Sequence, residues 1–312
     1  MTKLERVRAA VLGQPVDRLP YSLWYHFRLD PPAGERMAQA ELAFYHRYDP
    51  DFLKVMHDVP YEVPADMPQV QTPDDWRRLP ELDGVSGNFG AQLRTIEMIL
   101  EGRGDDGPVI DTVFSVFSIA QKVSGGRTLE HLRVDPDAVH TGLRRLTASL
   151  GNYARALLAV GAAGIYQAIS GAASDTMDAE EYRRHFLAYD QQILSAAAGG
   201  MLNVVHQHGV GIYPDLALGL SGYSVYSWSN RLAGNPSIRE MRLRTQACLM
   251  CGVDESAFAQ LTPDEIVRQC RDAAAETNGH AFIVAPGCAV PTPPASPEAN
   301  LGAFRAAVAS EV

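Results

Sequence analysis

The fold is decided between residues 164 and 208, where GIYQAIS (164–170) is followed by DAEEYRRHFLAYDQQILSAAAGG (178–200) and then by LNVVHQH (202–208). The outer two pieces are short and rich in β-branched and aromatic residues, as buried strands are, while the middle one repeats its apolar residues at helical spacing. Strand, helix and strand in that order form one crossover unit, because parallel neighbours need a long connection. Gly199 and Gly200 fall where the helix ends and the chain turns back, a place that often needs φ > 0.

Working outward, the same alternation repeats on both sides. LPYSLW (19–24), DFLKVM (51–56) and PVIDTVF (108–114) precede the unit, and YSVYSW (223–228), QACLMCGV (246–253) and AFIVAPG (281–287) follow it. Helical segments such as AGERMAQAELAFYHRY (33–48), PDAVHTGLRRLTASLGNYARALLAVG (136–161) and PDEIVRQCRDAAAETNG (263–279) lie between them. In the last of these, Thr262 is placed to cap and Pro263 to open the helix. Gly161, Gly164 and Gly279 mark further passages from helix to strand. Eight strands with intervening helices predict an α/β protein, a single TIM-type (β/α)8 barrel occupying residues 1–312 as one domain; an open doubly wound sheet is the alternative.

Two Pro-rich stretches, 63–76 and 290–297, follow proposed strands and would roof the end of a barrel where chemistry sits. No G-x-G-x-x-G or Walker-type loop is present, so no motif supports a dinucleotide or P-loop reading. With 37 acidic against 27 basic residues, the net charge of −10 argues against a nucleic-acid partner. The opening MTKLERVRAAVLG lacks a long apolar run and a cleavage site, and nothing later approaches a membrane span, so the expectation is a cytoplasmic protein with no membrane partner.

Four cysteines in such a chain read as reduced thiols or metal ligands. Cys248 and Cys251 form a C-x-x-C, but in a strand residues three apart point to opposite faces, so both read as core thiols. Cys270, within a helical segment, reads as packing.

Polar residues at the C-terminal ends of the strands carry the functional reading. They are Tyr25 and His26 after the first candidate strand, His57 and Asp58 after the second, and Gln167 and Ser170 on the fourth. His206 and His208 follow on the fifth, Trp228 on the sixth, Asp254 on the seventh and Cys288 on the eighth. His206 and His208 share a strand face, and with the Cys288 thiolate they make a chemically sound zinc set with an open fourth position. From the residues alone, hydrogen-bonded active-site or core histidines remain the alternative. Asp58 and Asp254 suit general acids or substrate anchors, with Asp254 equally suited to capping the turn after its strand. Tyr213 follows the H-x-H closely enough to line a pocket. The histidines at 46, 131, 140, 185 and 280 read as solvent-facing.

Taken together, ERVRAAVLGQPVDRLPYSLW (5–24), DFLKVM with Asp58 beyond it, DTVFSVFSIAQKVSGG (111–126), GIYQAIS followed by MDAEEYRRHFLAYDQQIL (177–194), VVHQHG (204–209), CGVDE (251–255) and APGCAVP (285–291) resemble the uroporphyrinogen decarboxylase superfamily. The resemblance implies a (β/α)8 barrel with its cleft at the strand C-terminal ends. It covers cofactor-free decarboxylases and zinc-dependent methyltransferases that activate a thiol and commonly draw the methyl group from a corrinoid. The chain resembles the methyltransferases more closely: His206, His208 and Cys288 match their H-x-C and distant Cys in position, His208 standing where the first Cys would be.

The decarboxylases grip their polyacidic substrate with paired arginines after the first strand; here LWYHFRLD (23–30) has Tyr25 in the first arginine's place and Arg28 nearby. The resemblance aligns Asp58 with the decarboxylases' catalytic aspartate and Ser170 with a substrate-contacting serine. The expectation is therefore a methyltransferase using Zn2+ on His206, His208 and Cys288, with Asp58, His206 and Asp254 in catalysis and Tyr25, His26, Ser170, Tyr213 and Trp228 around a small-molecule substrate. A corrinoid methyl donor, a corrinoid protein partner and a homodimer are compatible with it. The alternative is a metal-free lyase acting on a less acidic substrate, with Asp58 stabilising a cationic intermediate.

Overall fold

The computed structural model describes residues 1–309. Seven strands, β1 (Leu53–Val55), β2 (Val109–Phe114), β3 (Gly164–Ile169), β4 (Val204–Gln207), β5 (Val225–Trp228), β6 (Cys248–Val253) and β7 (Phe282–Pro286), form one sheet in chain order. Every neighbouring pair is parallel, so each connection crosses over through helix or loop. The helix Pro263–Glu276 begins as its sequence predicts: Thr262 accepts from the Glu265 N–H and the Glu265 carboxylate returns to the Thr262 N–H.

Side-chain alternation divides the strands between two cores. Phe52, Ile110, Tyr166, Val204, Val225, Met250 and Ile283 pack together on one face. Their sequence neighbours Leu53, Val109, Ile165, Val205, Tyr226, Leu249 and Phe282 join the other cluster with the helices. The inner cluster contains Phe52 and Met56, which flank β1, together with Ile283 and Ala285 of β7, so the sheet curls and its concave face is filled with side chains. Cys248 belongs to the inner cluster and Cys251 to the outer one, which puts the two thiols of the C-x-x-C on opposite sides of β6.

The first expected strand, LPYSLW, does not form one. Only Tyr21 bridges, in parallel, to Val284 of β7, and its carbonyl accepts from the Asp51 N–H ahead of β1. The physical reason lies in what its donors do instead. Pro20 has no N–H, and the Tyr21 N–H goes to the Asp51 carboxylate at 2.9 Å rather than to a ladder carbonyl. The segment joins both edges of the sheet through a few backbone bonds.

Two glycine expectations also change: Gly161, Gly199 and Gly279 do take positive φ, whereas Gly200 does not, and Gly164 opens β3, where a Cβ would lie 2.2 Å from the Leu202 carbonyl oxygen. Among the described residues no helix is long and apolar enough to cross a membrane.

Candidate metal centre and cavity

On the concave face, His206 in β4 and His208 just beyond it point the same way, as alternate strand residues must. Gly209 follows at φ +127°, and a Cβ there would sit 2.8 Å from that of Ala173, so the chain leaves the strand through a turn that excludes larger residues. Cys288 reaches the same point from the end of β7. It does so because Gly287 lets the backbone pass close to β5: a Cβ at 287 would lie 2.6 Å from the Ser229 Cα and 2.4 Å from the Glu255 carboxylate. The ligand atoms of His206, His208 and Cys288 all lie within 4.8 Å of one another, and Cys288 Sγ is 3.7 Å from His208 Nδ1.

His206 is buried, and its Nδ1 meets the Ser227 hydroxyl at 3.2 Å, while its Nε2 has no hydrogen-bond partner. An orphaned buried nitrogen is expensive unless something occupies it. Burial depresses the His206 pKa, keeping the ring neutral as a metal ligand must be. Burial pushes the Cys288 thiol up, but the neighbouring His206 imidazole and the Lys54 ammonium pull harder and leave it below the ordinary thiol value. The other three thiols go the opposite way: burial pushes Cys248 and Cys270 up to about 12 and Cys251 well above its usual value. These donors fit zinc: two imidazoles and an acidified thiol, with one nitrogen left unsatisfied by the protein.

The cluster opens into a cavity of about 320 Å3. Its walls come from the strands and the segments that flank them, and they are apolar in character: Trp24, Met56, Phe114, Ala168 and Ala289. Its polar groups include His26, Lys54, Ser118, Gln121, Lys122 and Ser170. His26 Nδ1 is 2.7 Å from the Asp58 carboxylate. Burial raises the Asp58 pKa, but the bond to His26 and the nearby charges of His26, Lys54 and Lys122 together outweigh it and hold the carboxyl below its usual range. The Ser170 and Ser118 hydroxyls hydrogen-bond each other.

Of the expected site residues, His26, Ser170, His206, His208 and Cys288 line this cavity and Asp58 adjoins it through His26. The remainder do not. Tyr25 packs against Phe27 and Phe44. Tyr213 gives its hydroxyl to the Met177 carbonyl, and Trp228 is fully buried on the outer face with Nε1 on the Pro236 carbonyl. Asp254 accepts from the Ser256 and Ala257 N–H groups and so caps its own turn. His131, expected at the surface, is buried and accepts from Trp76 Nε1.

Sequence reasoning missed Lys54 and Tyr166. Lys54 is buried in β1, its ammonium 4.6 Å from the Tyr166 ring centroid, 5.3 Å from that of Trp24 and 2.7 Å from Met56 Sδ. Desolvation pulls its pKa down to about 8. Tyr166 stacks on His206 with centroids 5.2 Å apart, and its hydroxyl has no partner.

A curled parallel sheet with polar and metal-ligating groups gathered in one cavity is the construction of α/β barrel enzymes. The chain belongs to the uroporphyrinogen decarboxylase (URO-D) family, whose sequence profile matches residues 32–310. No curated protein sequence matches it. Among solved structures it is similar to a methyltransferase from Methanosarcina mazei, at 20% identity and a TM-score of 0.78 over 98% of each chain. It is also similar to a Listeria monocytogenes protein assigned as a vitamin-B12 independent methionine synthase, at 11% identity and TM-score 0.59 over 87% of this chain and 85% of that one. A B12-independent methionine synthase from Shewanella sp. W3-18-1, in complex with selenomethionine, matches at 12% identity and TM-score 0.53 over 69% of this chain and 64% of that one. At these identities the likeness is one of fold.

Proposed function

We propose that this chain is a zinc-dependent methyltransferase that moves a methyl group to or from a small thiol, with a corrinoid as the other methyl carrier. The observation that carries the reading is the convergence of His206, His208 and Cys288 within 4.8 Å, with the buried His206 Nε2 left without a partner. Zinc held there would supply a Lewis acid that lowers the pKa of a substrate thiol, making thiolate available at neutral pH. The protein's own part is to hold and shield. Ser227, on the His206 Nδ1, orients the ring so that Nε2 faces the cluster. The apolar walls keep water from the reacting sulfur. His26, tied to Asp58 at 2.7 Å, is the group placed to receive a proton from the thiol.

In this reading the curled sheet is a (β/α)8 barrel in which the Tyr21 segment takes the eighth place, and the site lies at the C-terminal ends of the strands. The lyase alternative has less behind it: Asp58 is engaged by His26, and no arginine lines the cavity.

The test begins with metal content. One zinc per chain is expected after incubation with zinc and gel filtration, falling to background in His206→Ala and Cys288→Ser while circular dichroism stays unchanged. With methylcobalamin and 2-mercaptoethanol, the methyl group passes from cobalt to sulfur, giving the thioether, cob(I)alamin and a proton, and chelation stops it. A folded wild-type chain that takes up no zinc would refute the reading.

A further inference from the structure

The cavity contradicts the charge of the molecule around it. The chain carries a net charge of −10, yet no carboxylate lines this cavity; the charged side chains there are Lys54 and Lys122. Lys122 sits at the exposed mouth with its ammonium 3.6 Å from the Phe114 ring centroid. Lys54 is the informative one. It is 2% exposed, and among the described residues no carboxylate lies within 4.0 Å of its ammonium. Its near neighbours are aromatic faces and a thioether, which is a weak acceptor. A buried, unpaired ammonium is costly, and so is the unpartnered Tyr166 hydroxyl lining the same cavity. Both are donors, and among the described residues neither has an oxygen or nitrogen acceptor: the ammonium has only the thioether and the hydroxyl has none.

We infer that Lys54 and Tyr166 form an oxyanion-binding subsite, and that the substrate is a small apolar or aromatic molecule bearing one carboxylate-type group. This rests on the proposed reading of the cavity as the substrate pocket. The anion supplies the acceptor that both donors lack, while Trp24, Met56 and Phe114 take the apolar body. A cationic substrate such as a methylated ammonium is disfavoured, because Lys54 would repel it with no carboxylate lining the cavity to compensate. The subsite also sets direction: Tyr166 stacks on His206, so a molecule held by its anion lies beside the metal cluster.

Benzoate and its neutral isostere benzamide are the probes, measured by calorimetry on the full chain both zinc-loaded and chelator-treated. Benzoate is expected to bind at least tenfold more tightly than benzamide in both forms. Lys54→Met should abolish the preference, Lys54→Arg should keep most of it, and Tyr166→Phe should cut it a few-fold. Because Lys54→Met removes an unpaired buried charge, its melting temperature should not fall below wild type, which checks that the variant is folded. Equal affinities for the two probes in wild type would overturn the inference. So would a preference that survives Lys54→Met and disappears in Lys122→Met, since that places the anion at the mouth. Because the preference is read without metal as well, a chain that binds no zinc but still discriminates would sink the zinc chemistry and leave this subsite standing.

Discussion

Asp51 and Lys54 are three residues apart at the start of the same sheet, equally buried, and treated in opposite ways. The Asp51 carboxylate receives Arg6 at 2.7 Å, Arg18 at 2.7 Å and the Tyr21 N–H at 2.9 Å. Among the described residues Lys54 has no carboxylate within 4.0 Å of its ammonium. At the N-terminal end of the strands the charges are paired and tie the Tyr21 segment to the start of β1. On the concave face Tyr166 and His206 keep polar atoms without a partner beside one cavity, and the Lys54 ammonium there has only a thioether. The N-terminal end holds the chain together, and the concave face carries the polar atoms that the proposed metal and substrate would satisfy.

The sharpest way to break this contrast is at Asp51. Asp51→Ala takes the buried carboxylate from Arg6, which keeps Asp17, and from Arg18, which keeps the Leu19 carbonyl, and it leaves the Tyr21 N–H without an acceptor; removing one partner of a buried ion pair costs about 3–5 kcal/mol. Urea denaturation should show that loss, with zinc uptake unchanged wherever the variant is folded. A loss below about 1 kcal/mol would mean the arginines find other partners and the N-terminal end is not the stabilising one.

A second effect appears on the pH axis. Glu41 is buried behind the C-terminal end of β1, accepts only from the Met56 N–H at 3.4 Å, and is pushed up by desolvation to about 8 from its usual 4.5. Its folded pKa is raised, so its contribution is fully present below pH 4.5 and is lost as pH rises through about 8, because the unfolded chain ionises first. Asp17, at the opposite end, is held well below the carboxylate range by Arg6, so its contribution is lost as pH falls. Glu41→Gln keeps the acceptor for Met56 and removes the titration. It should leave stability at pH 4 unchanged and raise it at pH 8 by several kcal/mol. Parallel stability curves for variant and wild type would show that Glu41 is already ionised in the folded protein.

The contrast also explains what could be read without coordinates. The strand–helix alternation and the shared face of His206 and His208 follow from period alone, and the seven strands of the sheet lie where that period puts them. The approach of Cys288 spans 80 residues of sequence; its place at the end of a candidate strand makes it a possible ligand, and the family resemblance adds to that. What failed was face. Trp228 stands at a strand end, but counting by twos from the inward Val225 selects Ser227, which meets His206, and sends Trp228 outward. Lys54 was in plain view as a charge inside the apolar run DFLKVM. Reading that run only for its strand character passed over the one residue that made it unusual. The LPYSLW segment failed for another reason: a side-chain acceptor, Asp51, takes the N–H that a strand would have used, and pattern along the chain does not show partners from elsewhere.

Asp254 gives the smallest and most discriminating test. Its position after β6, among residues matching the family resemblance, suggests a catalytic acid, but its carboxylate accepts from the Ser256 and Ala257 N–H groups and from the Ser256 hydroxyl. That is the work of an Asx-type turn, in which a carboxylate satisfies backbone donors the chain would otherwise leave open. If capping is its whole role, Asp254→Ala costs about 1 kcal/mol, Asp254→Asn costs less because the amide oxygen still accepts, and zinc content and the benzoate preference stay at wild-type values in both. A catalytic role reverses the ranking, with Asn as damaging to turnover as Ala and stability almost untouched. Measuring stability and methyl transfer on the same two variants therefore separates a residue that holds the loop beside the cavity from one that works inside it.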